Sequence, residues 1–505
     1  MLENLIKRIK SNKLIAFFEI LSLLVIVLCV FCSIRMNIVG RTLWLDEAML
    51  AVSINTESLG ELLHAPLQWN QSAPVIYVII VKLLTMLFGN SEFVFRLFSI
   101  ICYVALIFVF YVLVKNTTKI KLPITVAAVM ANLAMLLEYS NMFKPYILDC
   151  LAVMLVLLIY YLYKERSFNI IFTCIIIAVL IWASNPVAFF AGGVAAYEFI
   201  MGIVKKDKKV IIGGLAIGIS AVVSFACLYF VWLKPTIDAT NLSDFWVDSK
   251  FPLIITSLEQ LKKAYHLSEF ALSGLNAMWI VLVVLSIASL IINIVKKKNN
   301  PYVYVILIAV VITLVASALG FFPMSDRLFL FMDPICYLMS LYASVWITEA
   351  IIKEKYLVIT TGIILFIMIY FGHGFARYFS GEAYRDGEEV NDTITYLEEN
   401  LDADDQLYVY YAAIPVYQYK EGYEGVAPIG KCNNVMYGTG MLYDHQADAD
   451  VDYVSKQKDI YILYTHVVDY ESRDDMESVL REKGSYEPVI DKYLFHYSAN
   501  EGQEE

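Results

Sequence analysis

Four consecutive residues, Trp44-Leu45-Asp46-Glu47, place two carboxylates just beyond the first long apolar run of the chain. Two kinds of chemistry suit such a pair. A carboxylate can take the proton of a hydroxyl nucleophile, and either one can hold a divalent metal. Being adjacent, the two point in different directions and are expected to serve different partners. A structural role stands beside these for Asp46, which could N-cap a helix beginning near Glu47.

Other ionisable residues sit at the edges of apolar runs. The stretch EYSNMFKPYILD carries Glu138, Lys144, Tyr146 and Asp149, and FPMSDRLFLFMDP carries Arg327. Arg96 opens another apolar run. Charges at such positions are costly unless they are paired or face a polar cavity. A Lys144–Asp149 ion pair is the structural alternative to a site. The arginines could snorkel to lipid headgroups or clamp a phosphate with two parallel hydrogen bonds. Of the six histidines, His64 and His266 fall on loops near the carboxylates. Neither is part of a metal-ligand spacing such as H-x₃-H, so Glu47, His64 and His266 are candidate metal ligands on proximity alone. No Walker loop, G-x-G-x-x-G or G-x-S-x-G is present.

These residues must be positioned by membrane helices. The chain of 505 residues is 59% hydrophobic and 14% aromatic, with mean hydropathy +0.63, well above the 45–50% apolar content of soluble domains. Runs long enough to cross a hydrocarbon core of roughly 30 Å are expected at 14–34, 93–114, 122–137, 147–163, 169–183, 187–204, 210–233, 272–295, 301–320, 328–348 and 356–371. The run 74–88 covers only about 22 Å as a helix and has Lys82 at its middle. If it lies flat in the interface, the strongly basic short loops all fall on the amino-terminal side. They include Lys7, Arg8, Lys10 and Lys13; Lys115, Lys119 and Lys121; Lys164 and Arg166; Lys205, Lys206, Lys208 and Lys209; Lys296 to Lys298; and Lys353 and Lys355. If it crosses, they divide between the two sides. The positive-inside rule then gives eleven spans, a cytoplasmic N-terminus and a multi-pass membrane protein with an external tail. Asp46 and Glu47 fall on the outer side, in a first external loop at 35–92. Within that loop, Ser58-Leu59-Gly60-Glu61 has the spacing of a capping box.

A membrane domain at 1–371 is expected to precede an extracytoplasmic domain at 372–505. From Gly381 onward the chain holds 28 acidic and nine basic residues, a net −19 that leaves +8 for the rest. Such a tail would repel nucleic acid. Helical patterns at 387–400 and 472–484 alternate with strand-like QLYVYYAAI, DIYILYTH and KYLFHY, which reads as a small α/β module. Seven of the eight cysteines lie in apolar runs and only Cys432 in the tail, so no disulfide is expected within it.

LWLDEAML, followed by NQSAPVIYVIIVKLLTMLFGNSEFVFRLFS, resembles the first-loop signature of GT-C glycosyltransferases that use polyprenyl-phosphate sugars. Bacterial protein O-mannosyltransferases and lipid A aminoarabinose transferases are the nearest group. EYSNMFKPYILD and FPMSDRLFLFMDP are similar to the second-loop and late-arginine patterns of those enzymes. The likeness covers about 14–380 and departs from the pattern at Ser72-Ala73-Pro74 and at Phe98. It implies an inverting transfer from a polyprenyl-phosphate-linked sugar to an extracytoplasmic glycan, lipid or protein. Asp46 would be the general base and Arg327 and Lys144 would lie near the donor phosphate. Glu47, Glu138 and Asp149 would orient Asp46, the sugar or a metal. The rival reading is a polytopic glycolipid transporter or flippase with an external accessory domain. It does not account for carboxylates gathered on outer loops beside an interfacial helix, and no internal repeat of the kind common in transporters is visible.

Overall fold

The computed structural model describes residues 13–38, 41–64, 66–239, 246–380, 389–421, 432–439, 447–467, 470–490 and 492–500. Lys7, Arg8 and Lys10 and the start of the 387–400 pattern lie outside them. The first apolar run forms α1 (Lys13–Ile38), and Asp46 and Glu47 fall on α2 (Leu45–Thr56). The doubtful run forms α3 (Val75–Phe88). The remaining apolar runs give α4 (Glu92–Thr117), α5 (Pro123–Ala131), α6 (Ala134–Tyr139), α7 (Tyr146–Arg166), α8 (Ile170–Ala183), α9 (Val187–Lys205) and α10 (Lys208–Ala239). After the amphipathic α11 (Leu258–Ala271) come α12 (Trp279–Val295), α13 (Pro301–Ala318), α14 (Met332–Ile351), α15 (Glu354–Gly372) and α16 (Gly374–Ser380). Among the described residues, eight helices are long and apolar enough to cross a membrane. Val75–Phe88, Ile170–Ala183 and Tyr356–Gly372 are shorter and apolar. The chain is a multi-pass membrane protein.

Hydrogen bonding bears on the doubtful run and alters one expected span. The loop from α1 to α4 begins and ends at one end of the bundle, because Asn37 Nδ2 donates to Phe93 O at 3.3 Å and Glu47 pairs with Arg96. One crossing by α3 would part those contacts, so α3 packs against α2, α4 and α8 at that end instead. Lys82, the residue that made the run doubtful, donates to Ile54 O at 2.6 Å and satisfies a carbonyl in the last turn of α2.

The expected single span 122–137 is instead two helices, broken at Asn132-Leu133. The pair still runs the length of α1. Glu19 accepts from Ile124 N at 3.0 Å near one end, and Ser33 and Ser140 meet at 2.7 Å near the other. The break is closed from the far end of the sequence. Asn132 O accepts from Gly374 N at 2.9 Å, Asn132 Oδ1 from Phe375 N at 2.9 Å, and Asn132 Nδ2 donates to Ile369 O at 2.6 Å. A Cβ at Gly374 would lie 2.6 Å from Asn132 O, so only glycine allows this approach. Irregular backbone at this depth survives because protein groups satisfy it.

The tail folds as an α/β module, with α17 (Asn391–Asn400), α18 (Ile414–Glu421), α19 (Ala447–Ser455) and α20 (Tyr470–Lys483) around a five-stranded sheet. The strands are β1 (Gln406–Val409), β2 (Asn434–Tyr437), β3 (Asp459–Leu463), β4 (Gly484–Pro488) and β5 (Leu494–Ala499), in the order β2-β1-β3-β5-β4. β1 is parallel to both neighbours, while β5 is antiparallel to β3 and β4. β1, β3 and β5 are the three expected strands; β2 and β4 are short edges without a hydrophobic run of their own. The module reaches the membrane domain through α18, which packs on α2. Asn55 Nδ2 donates to Tyr419 O at 3.0 Å, and Tyr419 Oη donates to Glu92 at 3.2 Å.

Candidate active site

Helix α2 begins at Leu45, and Trp44 occupies the cap position expected for Asp46. The reason is Glu47. As the third helical residue it reaches back, and its Oε2 accepts from Trp44 N at 3.1 Å, one half of a capping box. Asp46, inside the first turn rather than at its cap, lines a cavity.

That cavity measures about 320 Å³ and lies among the 69–74 and 144–149 segments, the Asn185-Pro186 turn, Trp246 and the 321–328 loop. On its wall Asp46 Oδ2 accepts from Arg327 Nη1 at 2.6 Å, with the two side chains 24% and 21% exposed. The guanidinium lies 6.0 Å from the Trp44 ring and 5.7 Å from the Trp246 ring, within cation–π range. Burial opposes its charge, but Tyr146 and Asp46 outweigh that and hold its pKa above the ordinary arginine value.

Lys144 and Asp149 line the same cavity without the ion pair that sequence allows between them. Lys144 Nζ donates to Gln71 Oε1 at 2.7 Å. Lys144 precedes α7 and reaches the 69–74 segment, whereas Asp149 lies a turn inside the helix. Burial pushes the Lys144 ammonium below its usual range; Asp46 opposes that and Arg327 adds to it. Asp149 is 8% exposed, and its Oδ1 is buried with no hydrogen-bond partner, a condition that a substrate hydroxyl would relieve. Tyr146 completes this side.

The opposite wall is a strained turn. Trp69 and Asn70 have φ of 56° and 54°, a region that asparagine enters readily and bulky residues rarely. The turn is pinned by Gln68 N to Ser53 Oγ at 2.9 Å, Gln68 Nε2 to Thr56 Oγ1 at 2.8 Å and Trp69 Nε1 to Gln418 Oε1 at 3.1 Å. The last of these comes from the C-terminal module. Sequence reasoning passed over Trp69, Gln71, Asn185 and Trp246. Asn185-Pro186 was legible as an outer turn, and the polar NQS following Trp69 was a weak signal for the rest.

Five candidates lie elsewhere. Glu47 is buried against Arg96, with Nε to Oε1 at 2.9 Å and Nη2 to Oε2 at 2.7 Å, and Oε1 also takes the Phe143 N–H. Burial works to raise the Glu47 pKa, but the Arg96 charge and hydrogen bonds outweigh it and hold the carboxyl below its ordinary value. Arg96 also donates to the Arg41 and Thr42 carbonyls, so it neither snorkels nor faces the cavity. Glu138 pairs with Arg377 at 3.6 Å, a partner the sequence did not suggest. His64 is exposed and bonds the Gly60 carbonyl, while His266 is exposed on α11, 3.7 Å from Glu269. Among the described residues no three His, Cys, Asp or Glu side chains converge as metal ligands, so Glu47, His64 and His266 are not gathered.

No protein-family model matches the chain, and no curated protein matches it by sequence. Solved structures do. ArnT from Cupriavidus metallidurans in the apo state is similar with a TM-score of 0.54 at 11% identity, over 95% of this chain and 97% of that one. The archaeal oligosaccharyltransferase AglB from Archaeoglobus fulgidus, in complex with an inhibitory peptide and a dolichol-phosphate, is similar with a TM-score of 0.51 at 12% identity. That match covers 96% of this chain and 75% of AglB. At such identities the likeness speaks for the fold, and the fold is the GT-C architecture of membrane glycosyltransferases.

Proposed function

We propose that the protein transfers a sugar from a polyprenyl-phosphate donor to an acceptor hydroxyl at the cavity, with Asp46 as general base. The carrying observation is the Asp46–Arg327 pair on the wall of a polar cavity at the end of the helix bundle. Arg327 is the cation placed to meet the donor phosphate. Only Nη1 of its guanidinium is engaged by Asp46, so turning toward a phosphate would exchange that contact for the donor. The acceptor oxygen then attacks the anomeric carbon, its proton passes to Asp46, and the sugar–phosphate bond breaks with inversion. The departing lipid phosphate is stabilised by Arg327 and Lys144, while Asp149 takes a sugar hydroxyl. The fold shared with AglB, whose structure holds an inhibitory peptide and a dolichol-phosphate, supports a lipid-linked donor and a separate acceptor.

The test is transfer from a lipid-linked sugar in detergent, with thermal unfolding followed on the same samples. Asp46→Asn keeps volume and polarity but cannot take the proton, so transfer should fall 10²–10⁴-fold while donor binding and melting stay near wild type. An Asp46→Asn protein retaining more than about half its activity would end the base assignment.

We further propose that the cavity and the module at 372–505 face outward from a cytoplasmic N-terminus, since the basic loops gather at the opposite end. Single cysteines at Glu57 and at the exposed Asp452, in a cysteine-free background, should react with a membrane-impermeant reagent in intact cells, and one at Asp207 should not. The reverse pattern would overturn the orientation.

A further inference from the structure

The end of the bundle remote from Asp46 carries a second concavity. Glu92 and Thr117 are separated by the 26 residues of α4, about 39 Å of helix, so the loop after Thr117 lies a full span away from the cavity. There α12, α14 and α15 enclose an apolar groove of about 330 Å³. Its wall includes Val281, Leu285, Val345 and Ile364, with Val281 and Ile364 exposed on the outer surface of the bundle. Lys119 and Lys121 stand at its mouth.

The groove runs into a second pocket of about 330 Å³ that shares Lys119, Val345 and Glu349 and adds Lys298, Asn293 and Trp346. Lys296 and Lys298 lie 5.6 and 5.9 Å from the Trp346 ring centre. Among the described residues, Lys119, Lys121 and Lys298 line this groove and pocket together with the carboxylate Glu349. Tryptophan and lysine together mark headgroup depth, and the apolar groove continues from that level into the span.

We propose that this continuous groove and pocket bind an anionic diacyl phospholipid. Its phosphate would lie among Lys119, Lys298 and Trp346, and one acyl chain would lie along Val281, Leu285 and Ile364. The excess of cations selects an anionic over a zwitterionic headgroup, and the groove adds an apolar complement that a merely basic loop lacks. The site is independent of the donor cavity.

Trp346 supplies the readout. Vesicles of phosphatidylcholine contain the full-length protein and increasing phosphatidylglycerol brominated near the ester, and the Trp346 signal is the difference from Trp346→Phe. Brominated phosphatidylglycerol should quench that signal at a lower mole fraction than brominated phosphatidylcholine. Since each interfacial lysine contributes on the order of fivefold, the double variant K119A/K298A should raise the half-quenching fraction by about tenfold or more. K205A/K208A, on another basic loop, should leave it unchanged. Equal quenching by the two lipids, or an advantage for phosphatidylglycerol that survives K119A/K298A, would overturn the proposal. So would displacement by an equal fraction of polyprenyl phosphate, which would make this an isoprenoid site.

Discussion

Asp46 and Glu47 are neighbours in sequence and each meets an arginine, yet the two pairs sit in opposite environments. Glu47–Arg96 is 1–2% exposed, bidentate and closed on every side by backbone groups. Asp46–Arg327 has one hydrogen bond between the two charges and about a fifth of each side chain open to the cavity. The difference teaches how one turn of helix can both fasten a site and supply it. Glu47 binds α2 to α4 and to the backbone at Phe143, and that attachment fixes where Asp46 points. A closed pair is architecture; an open pair can be exchanged for a ligand.

The closed pair should break hardest. Arg96→Ala leaves a buried carboxylate without its cation, which typically costs 3–5 kcal/mol. The melting temperature should drop and activity should vanish with the folded protein rather than before it. Arg96→Ala protein that melts like wild type would refute the structural assignment. The open pair should behave in reverse. Arg327→Ala should leave melting nearly unchanged while kcat/KM for the donor falls by roughly one to two orders of magnitude, the worth of a charge-assisted hydrogen bond. Arg327→Lys should recover only part, since lysine lacks the planar fork. Unchanged donor kinetics in Arg327→Ala would reduce that residue to an anchor for Asp46.

The smallest effect is on acid stability. The folded-state pKa of Glu47 lies below its ordinary value, so its contribution is fully present above about pH 4.3 and is lost as pH falls through the lower folded value. Melting measured from pH 6 down to pH 3 should decline more steeply at the acid end in wild type than in Glu47→Gln. Equal slopes would show that Glu47 is not held ionised.

The apolar runs made the helical architecture legible, because length and hydropathy act locally. The 122–137 run hid its break, since Asn132-Leu133 is interrupted by a partner 240 residues away. Asp46, Lys144, Asp149 and Arg327 were legible as candidates because costly charges near a membrane need a reason, though the same argument also singled out Arg96 and Glu138, which find buried or ion-pair partners elsewhere. The fate of Glu47 and Arg96 was not, as sequence order does not say which of two adjacent carboxylates turns inward. Trp69 and Gln71 come to the wall through a left-handed turn held partly by Gln418, a contact no local pattern encodes.

The closure of that broken helix bears on how the chain is made. Asn132 Oδ1 accepts from Cys29 Sγ on α1 at 3.7 Å, but the Asn132 carbonyl and Nδ2, placed in the bilayer early in synthesis, meet Gly374 and Ile369 when these arrive at the end of the membrane domain. Until then these polar groups stand in hydrocarbon, where each unsatisfied one costs several kcal/mol. The early helices therefore wait, half-built, for the last one to dock. Truncation just before Ile369 would strand an assembly intermediate for membrane quality control, although every residue lining the Asp46 cavity had already been synthesised.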